Sequence, residues 1–203
     1  MKFPLPQIVK SLFPELIWKM PAGGNALYFT FDDGPCPQVT PWVLDELDKY
    51  DAKATFFCIG KNAELYPELV ELIKTRGHSV GNHTYSHTKG WAKRTGEYVE
   101  DIELANSFLN STLFRPPYGR ITKHQIKRLS ARYHIIMWDI ISRDYSSVVS
   151  PRKCIREVMP HVREGSVIVF HDSLKASRNL FYALPRILES VHKQGYKCRA
   201  IDL

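Results

Sequence analysis

Three features are missing from this chain, and each absence argues against a class of protein. The four cysteines form no Cys-x-x-Cys pair, which argues against a zinc finger or a disulfide framework and favours reduced, mostly buried thiols. No run of basic residues interleaved with aromatic residues occurs, so we expect no nucleic-acid partner. The first 20 residues contain no apolar run long enough for a signal sequence or a membrane span. We therefore predict a cytoplasmic protein without a transmembrane segment.

The N-terminal stretch is divided by Pro4, Pro6 and Pro14, which limit it to short elements. Its apolar residues could form one short amphipathic element; they are Ile8, Leu12, Phe13, Leu16, Ile17 and Trp18. We expect this element to pack on the domain, so that residues 1–25 form an N-terminal extension. Peripheral contact with a membrane surface is the alternative.

Length and composition predict a single globular domain over residues 1–203. The chain has 203 residues, of which 44% are hydrophobic and 24% are charged, enough for one substantial core. Lysine and arginine exceed aspartate and glutamate by seven. This excess favours an anionic partner such as an acidic glycan or a lipid headgroup, although a basic surface without a partner is the simpler interpretation.

Short apolar runs alternate with helical patterns along the chain. The predicted strands are about Ala26–Phe31, Ala54–Ile59, His78–Asn82, Leu113–Arg115, His134–Trp138, Ser166–Phe170 and Cys198–Ile201. The predicted helices are about Val39–Tyr50, Asn62–Arg76, Thr95–Asn110, Thr122–Ala131, Pro151–Val162 and Leu180–Gln194. This alternation indicates an α/β fold whose parallel sheet is rolled up or doubly wound.

Polar residues follow the predicted strands, at the carboxyl ends where chemistry gathers in parallel α/β folds. In chain order they are Asp32 and Asp33, His83 and His87, Arg115 and Tyr118, Asp139 and Asp144, and His171 and Asp172. Because several successive strand ends carry such groups, we expect them to converge on one site.

Two adjacent carboxylates, Asp32 and Asp33, follow the first predicted strand. Like charges so close repel, and a bound cation, or a division into one metal ligand and one base, would relieve the repulsion. A surface Asp-Asp-Gly-Pro turn is the alternative. His83 and His87 are four residues apart, so a helix would place them on one face, within reach of one metal ion. Asp33 is our candidate third ligand, because two histidines and a carboxylate form the ligand set of some catalytic zinc sites.

With Asp33 on a metal, Asp32 could act as a general base toward water whose pKa the metal lowers from 15.7 to about 7. Arg115 lies between Phe114 and Pro116 and could hold Asp32 through charge-assisted hydrogen bonds. A surface ion pair is the alternative interpretation of Arg115.

An acid is also required if an amine is to leave, and His171 supplies a group that titrates in the right range. Asp144 could pair with His171 and raise its pKa. Asp139 and Asp172 compete for this role, and both could instead cap helices or orient other side chains.

Five segments of the chain resemble motifs of the polysaccharide deacetylase family, the NodB-homology enzymes of carbohydrate esterase family 4, which act on N-acetylated sugars. The segments are Thr30–Pro35, His83–His87, Arg115–Tyr118, Trp138–Asp144 and Val169–His171. The resemblance extends from about Leu27 to Leu203. It implies a distorted (β/α)7 barrel of the NodB-homology type.

The resemblance also implies roles for the matching residues. Asp33, His83 and His87 would hold a divalent metal, usually zinc, with cobalt or nickel as alternatives. Asp32 would act as the base and His171 as the acid. These roles coincide with those that the residue types suggest.

Three further residues would support the chemistry by resemblance. Arg115 would position the base, Asp144 would tune the acid, and the backbone N–H of Tyr118 would help the metal to stabilise the oxyanion. The fourth motif departs from the family pattern, with Ile141 in place of a common Asp and Tyr145 in place of the expected Trp. Neither change removes a ligand, base or acid, so the expected effect is on substrate fit.

The predicted function is metal-dependent hydrolysis of the N-acetyl group of a sugar, in a glycan or a sugar conjugate, with release of acetate. A hydrolase of cyclic amides or imides with the same fold and no metal is one alternative, against which Asp33, His83 and His87 argue. A glycan-binding protein with a vestigial site is the other. Chitin oligomers, peptidoglycan fragments, lipid-linked or nucleotide-linked sugars and small acetylated amines all remain open as substrates. The loop Thr88–Thr95 either lines the groove or is a solvated surface.

Overall fold

The computed structural model describes residues 13–203. Its strands are β1 (Leu16–Ile17), β2 (Ala26–Asp32), β3 (Ala54–Cys58), β4 (Ser79–Asn82), β5 (Leu113–Phe114), β6 (His134–Ile136), β7 (Ile140–Ile141), β8 (Val167–His171) and β9 (Lys197–Cys198). All pairs of these strands are parallel, in the order β1-β6-β5-β4-β3-β2-β8-β7, and β9 pairs with the start of β2. The predicted α/β fold with a parallel sheet is confirmed.

Helices connect the strands within residues 13–203. They are α1 (Thr40–Asp48), α2 (Gly60–Leu65), α3 (Pro67–Thr75), α4 (Thr95–Leu109), α5 (Lys123–Leu129), α6 (Pro151–Val158) and α7 (Ser177–Lys193). Short 3₁₀ turns lie at Gly90–Ala92, Pro117–Gly119 and Met159–His161. None of these described helices is both long and apolar enough to cross a membrane.

Residues 16–20 connect two parts of the curved sheet. β1 pairs with β6 on one side. On the other side, Lys19 forms an antiparallel bridge with Ser166, next to β8, and the Met20 N–H donates to the Gly165 carbonyl oxygen at 2.9 Å. The sheet is thereby brought round into a distorted barrel, as the family resemblance implies.

The predicted N-terminal element is described only in part. Ile8 and Leu12 lie outside the described residues. Leu16 is buried, and Phe13 and Trp18 pack against its apolar cluster. In the described part, the N-terminal segment therefore contributes a strand and apolar side chains to the barrel.

All of the predicted strands are present, with ends that differ by up to three residues. The two-residue strands β1 and β7 are absent from the prediction. The prediction of one helix over Asn62–Arg76 is wrong, because α2 and α3 meet at Tyr66, which has φ −131° and ψ 58°. Pro67 follows, and a residue before proline avoids the α region because of a clash with the proline ring.

β2 lies at the centre of the sheet, between β3 and β8. Phe31 on β2 stacks on Phe56 with ring centroids 5.0 Å apart, and Phe29 stacks on Phe170 at 6.1 Å. Such aromatic pairs typically contribute about 0.5–1.5 kcal/mol beyond the area they bury. Close packing of β2 therefore gives its last residue, Asp32, a rigid support.

Candidate metal centre and active site

The carboxyl ends of neighbouring strands bring the predicted site residues to one edge of the barrel. Asp32, at the end of β2, is in register with His171 on β8 and with Phe57 on β3. Hydrogen bonds, ion pairs and ring contacts link the rest of the set, which is Asp32, Asp33, His83, His87, Arg115, Tyr118, Asp144 and His171. The predicted convergence is therefore present for these eight residues, whereas Asp139 and Asp172, which the prediction also included, lie outside this network.

Four residues at this edge have left-handed backbone conformations, which residues other than glycine rarely adopt. The φ angles are 77° at Asp33, 62° at Thr84, 54° at His87 and 61° at Tyr118. They are half of the eight non-glycine residues with positive φ in the described chain, a clustering typical of functional sites. The helix considered for His83 and His87 is wrong, because a turn brings their rings together instead, with centroids 5.2 Å apart.

Asp33, His83 and His87 form a compact cluster in which one possible ligand atom of each lies within 4.8 Å of the others. Asp33 Oδ1 is 3.1 Å from His87 Nε2 and 3.8 Å from His83 Nε2. His83 Nδ1 donates to the Arg115 carbonyl oxygen at 2.8 Å, so its Nε2 lone pair faces Asp33. The Tyr118 hydroxyl oxygen lies 3.3 Å from His87 Nδ1, which leaves Nε2 as the ligand atom there too.

The protonation states of this cluster fit a bound cation. Burial lowers the pKa of His83 to about 4, so its imidazole is neutral and able to bind a metal at neutral pH. Burial acts to raise the pKa of Asp33, but its hydrogen bond with His87 and the nearby histidines hold that pKa well below its usual range. One carboxylate and two imidazole nitrogens are a donor set suited to a divalent metal.

Arg115 is fully buried and holds Asp32. Its Nη1 donates to Asp32 Oδ1 and to Thr30 Oγ1, each at 2.7 Å. Its Nε and Nη2 donate to the carbonyl oxygens of Ile136 and Met137 at 3.1 and 3.0 Å. The surface ion pair considered for Arg115 is wrong, because these buried bonds fix the guanidinium and, through it, the carboxylate.

His171 and Asp144 form a pair at the end of β8. Asp144 Oδ1 accepts from His171 Nδ1 at 2.7 Å, and its Oδ2 accepts from the His171 backbone N–H at 2.9 Å. Asn179 supports the loop by donating to the Asp144 carbonyl oxygen at 2.8 Å. Burial acts to lower the pKa of His171, but the charge of Asp144 and the hydrogen bond with it raise the pKa to about 9. The imidazole is therefore protonated at neutral pH.

The two other carboxylates considered as partners of the imidazole lie elsewhere. Asp139 accepts from the Val167 N–H at 2.8 Å and from the Ser166 hydroxyl at 3.1 Å, so it fixes the start of β8 and not its end. Asp172 is buried against the loop between β2 and α1, where the Thr40 hydroxyl donates to its Oδ2 at 2.5 Å. Burial raises the pKa of Asp172 to about 8.

Two polar residues that the sequence analysis does not identify hold the site loops. Asn62 Nδ2 donates to the Asp33 carbonyl oxygen at 2.9 Å. The Asp101 carboxylate accepts from the Tyr85 N–H at 3.0 Å and from the Ser86 hydroxyl at 2.7 Å. Their partners are 29 and 15 residues away in the chain, so no local pattern could have predicted these contacts.

Two tyrosines lie at the outer side of the site. Tyr118 is 56% exposed, its ring centroid is 4.8 Å from that of His87, and its backbone N–H forms no hydrogen bond with any residue in 13–203. Tyr145 packs edge-on against His171 with centroids 4.8 Å apart. The other altered position of the fourth motif, Ile141, lies in β7 opposite β8.

Comparison with known proteins places this geometry in a family. The family model for polysaccharide deacetylase matches residues 19–134. A peptidoglycan-N-acetylglucosamine deacetylase of Bacillus cereus is 32% identical over 198 residues, which cover 93% of this chain and 92% of that protein. A chitooligosaccharide deacetylase of Azorhizobium caulinodans is 35% identical over 161 residues, which cover 73% of this chain and 74% of that protein.

A solved structure agrees with the sequence matches. The crystal structure of a peptidoglycan N-acetylglucosamine deacetylase in complex with 4-naphthalen-1-yl-N-oxidanyl-benzamide matches with a TM-score of 0.89 and 30% identity, over 97% of this chain and 95% of that chain. This match confirms the distorted (β/α)7 barrel. Together with the family model and the relatives, it shows that the chain belongs to the polysaccharide deacetylase family.

Proposed function

We propose that this chain is a metal-dependent N-deacetylase that hydrolyses the acetamide of an N-acetylated sugar and releases acetate. One observation carries the proposal: a carboxylate oriented by buried Arg115, an Asp–His–His cluster and a protonated histidine lie together at one end of the barrel. Hydrolysis of an amide needs a base, an electrophile and an acid within reach of one bond.

Asp33, His83 and His87 would hold the metal through one carboxylate oxygen and two Nε2 atoms. We propose zinc, because this donor set matches catalytic zinc sites; cobalt and nickel suit the same nitrogen and oxygen ligands. When bound, the metal supplies a Lewis acid that polarises the acetamide carbonyl and makes water easier to deprotonate.

Asp32 would act as the general base. Arg115 donates to Asp32 Oδ1, whereas Asp32 Oδ2 has no hydrogen bond to the described residues. Asp32 Oδ2 can therefore accept a proton from the water that attacks the carbonyl carbon. Fixing the carboxylate before the substrate binds keeps the acceptor atom aligned and avoids reorganisation during the reaction.

His171 would act as the general acid. Its Nδ1 is bonded to Asp144, so Nε2 presents the proton to the leaving nitrogen as the C–N bond breaks, and the products are acetate and an amine. The backbone N–H of Tyr118, which has no partner among residues 13–203, would donate to the oxyanion, a contribution of ~2.7–4 kcal/mol for one such donor.

We propose an N-acetylglucosamine-type sugar as the acetylated unit. The peptidoglycan-N-acetylglucosamine and chitooligosaccharide deacetylases among the relatives support this class. Hydrolysis of a cyclic amide without a metal is not favoured, because the Asp33–His83–His87 cluster is complete. A vestigial glycan-binding site is not favoured either, because base and acid both have their partners.

Acetate release from N-acetylglucosamine oligomers tests the proposal, with zinc, cobalt and nickel supplied in turn. We expect metal-dependent release by the wild-type enzyme. Asp32→Asn should keep the bound metal and lose activity by about 10²–10⁴-fold, the usual contribution of a general base. Asp33→Ala should lose both metal and activity.

Asp51→Asn is the matched control, because Asp51 is an exposed turn residue that already has positive φ, which asparagine tolerates. Its activity and metal content should equal those of the wild type. Full activity of Asp32→Asn would refute the base assignment, and metal retention by Asp33→Ala would refute the ligand assignment. Acetate release that continues undiminished in a chelator would refute the metal-dependent mechanism itself.

A further inference from the structure

Two lysines stand at the outer side of the site, each above an aromatic ring that contacts a histidine of the site. Lys89 Nζ lies 4.8 Å from the centroid of the Tyr118 ring. Lys175 Nζ lies 5.9 Å from the centroid of the Tyr145 ring. Both distances are within the range of a cation–π contact.

The two lysines approach the site from different loops. In the first pair, Lys89 and Tyr118, the Tyr118 ring contacts the ring of His87, which follows β4. In the second pair, Lys175 and Tyr145, the Tyr145 ring contacts the imidazole of His171 at the end of β8. Because β4 and β8 lie on opposite sides of the β2–β3 pair, the ammonium groups flank the reacting centre from two directions.

No carboxylate among the described residues pairs with either lysine. Both are exposed, and within residues 13–203 neither Lys89 nor Lys175 forms an ion pair. Stacking on a ring restricts the flexible side chain, so less conformational entropy is lost when the ammonium binds an anion. The Asp32 carboxylate, deeper in the site, is already paired with Arg115. The ammonium groups of Lys89 and Lys175 therefore remain available to a ligand.

We propose that the substrate is an acidic N-acetylated sugar, whose carboxylate or phosphoryl group lies against Lys89 or Lys175 while its acetamide occupies the reacting centre. This inference rests on the proposed deacetylase function and adds the charge of the substrate. The anionic group would lie outside the Asp32–Asp33 pair, where it avoids repulsion from those carboxylates and meets the lysines. Lys89 and Lys175 are thus specificity-determining residues.

Three matched disaccharides of N-acetylglucosamine test the inference: the unmodified neutral sugar, the same sugar with a 1-phosphate, and the same sugar with a 3-O-lactyl carboxylate. We expect kcat/KM for at least one acidic sugar to exceed that for the neutral sugar. Lys89→Gln or Lys175→Gln, whichever removes the ammonium that the anionic group contacts, should lower kcat/KM for that acidic sugar by up to about fivefold, the usual range for an exposed charge pair. Which sugar responds identifies the anionic group.

Two measurements separate charge recognition from a structural effect. Activity on the neutral disaccharide should stay within about twofold in both variants, and Lys→Arg at either position should keep the acidic preference, because arginine also stacks on aromatic rings and binds anions. The preference should fall at 1 M salt, where the Debye length is only about 3 Å.

Lys197→Gln is the matched control, because Lys197 is exposed and pairs with Ala26 at the opposite end of β2 from the site. It should retain the acidic preference. Equal kcat/KM for all three sugars, or an unchanged preference in the Lys89→Gln/Lys175→Gln double variant, would overturn the inference while leaving the deacetylase intact. Failure of the wild type to release acetate from any of the three would refute the proposed function and the inference with it.

Discussion

Burial and Asp144 act on the acidity of His171 in opposite directions. Burial disfavours the imidazolium, whereas the Asp144 carboxylate at 2.7 Å favours it, and the resulting pKa is about 9. A general acid must be protonated before it can donate. The pairing therefore keeps the acid in its working form at neutral pH, which an unpaired buried histidine would not be.

Asp144→Asn should move the alkaline limb of the pH–rate profile to lower pH. Activity that depends on protonated His171 is lost as the pH rises through the pKa of His171, and removing the carboxylate lowers that pKa. We expect a displacement of about 1–3 pH units, the usual effect of one adjacent opposite charge. The measurement is kcat/KM against pH for both enzymes with the same metal. An alkaline limb that stays in place would show that another group supplies the proton.

Arg115→Met should destabilise the protein strongly, because it leaves the Asp32 carboxylate buried without its partner. Breaking a buried ion pair on one side typically costs about 3–5 kcal/mol. Adding Asp32→Asn to Arg115→Met should recover part of that loss, since the uncompensated charge is removed. Urea unfolding of both single variants and the double variant gives the coupling free energy. Strictly additive losses would contradict a direct pairing.

Residue identities and backbone conformations differ in how far the sequence predicts them. The chemistry of Asp32, Asp33 and His83 follows from their types and their places after strands. The left-handed conformations of Thr84 and His87 cannot be predicted from their residue types, because such φ angles are imposed on non-glycine residues by surrounding contacts. The side chains meet as predicted, but through a turn and not through a helix face.

The loop between β2 and α1 is held by a buried carboxyl group. The Thr40 hydroxyl donates to Asp172 and accepts from the Cys36 N–H at 2.8 Å. A Cβ on Gly34 would lie only 2.1 Å from Asp172 Oδ2, so the loop that carries Asp33 passes directly over the carboxyl. This element leaves space for glycine alone at that position.

Asp172→Asn should stabilise the protein above pH 5, and the gain should shrink toward pH 4. Burial raises the pKa of Asp172 from 3.8 to about 8. Between pH 3.8 and about pH 8, the folded state therefore keeps a proton on Asp172 that the unfolded state releases. The free energy of unfolding of the wild type accordingly falls as the pH rises through this window. Asparagine is neutral throughout and removes that dependence. We expect an increase in Tm of roughly 2–4 °C for each kcal/mol recovered, measured by thermal unfolding from pH 4 to pH 9. A Tm difference independent of pH would contradict the raised pKa.

Elements with their own apolar pattern are predictable, whereas those created by tertiary pairing are not. The strand Ala26–Asp32 carries seven residues of β-forming pattern and is identified from sequence. The strands Leu16–Ile17 and Ile140–Ile141 have only two residues each and exist because β6 and β8 lie beside them. The break at Tyr66 did have a local signal in Pro67, which the helical periodicity on either side obscured.

The barrel as a whole gathers the proposed metal ligands from distant parts of the chain. Asp33 follows β2, whereas His83 and His87 lie about 50 residues later, after β4. The unfolded chain does not hold these three groups together, so a metal that binds all three binds the folded state in preference. Metal affinity and folding stability are therefore linked across the whole molecule.

Removal of divalent metal should lower the thermal stability of the wild-type protein. A ligand present at 100 times its Kd stabilises the folded state by about 2.7 kcal/mol, which corresponds to roughly 5–10 °C in a chain of this size. The measurement is Tm in excess chelator and after addition of zinc, cobalt or nickel. His83→Ala should abolish the metal-dependent shift, whereas His124→Ala, which removes an exposed histidine on α5, should retain it. A shift that survives His83→Ala would mean that the metal binds elsewhere, and no shift in the wild type would contradict a preformed metal centre at Asp33, His83 and His87.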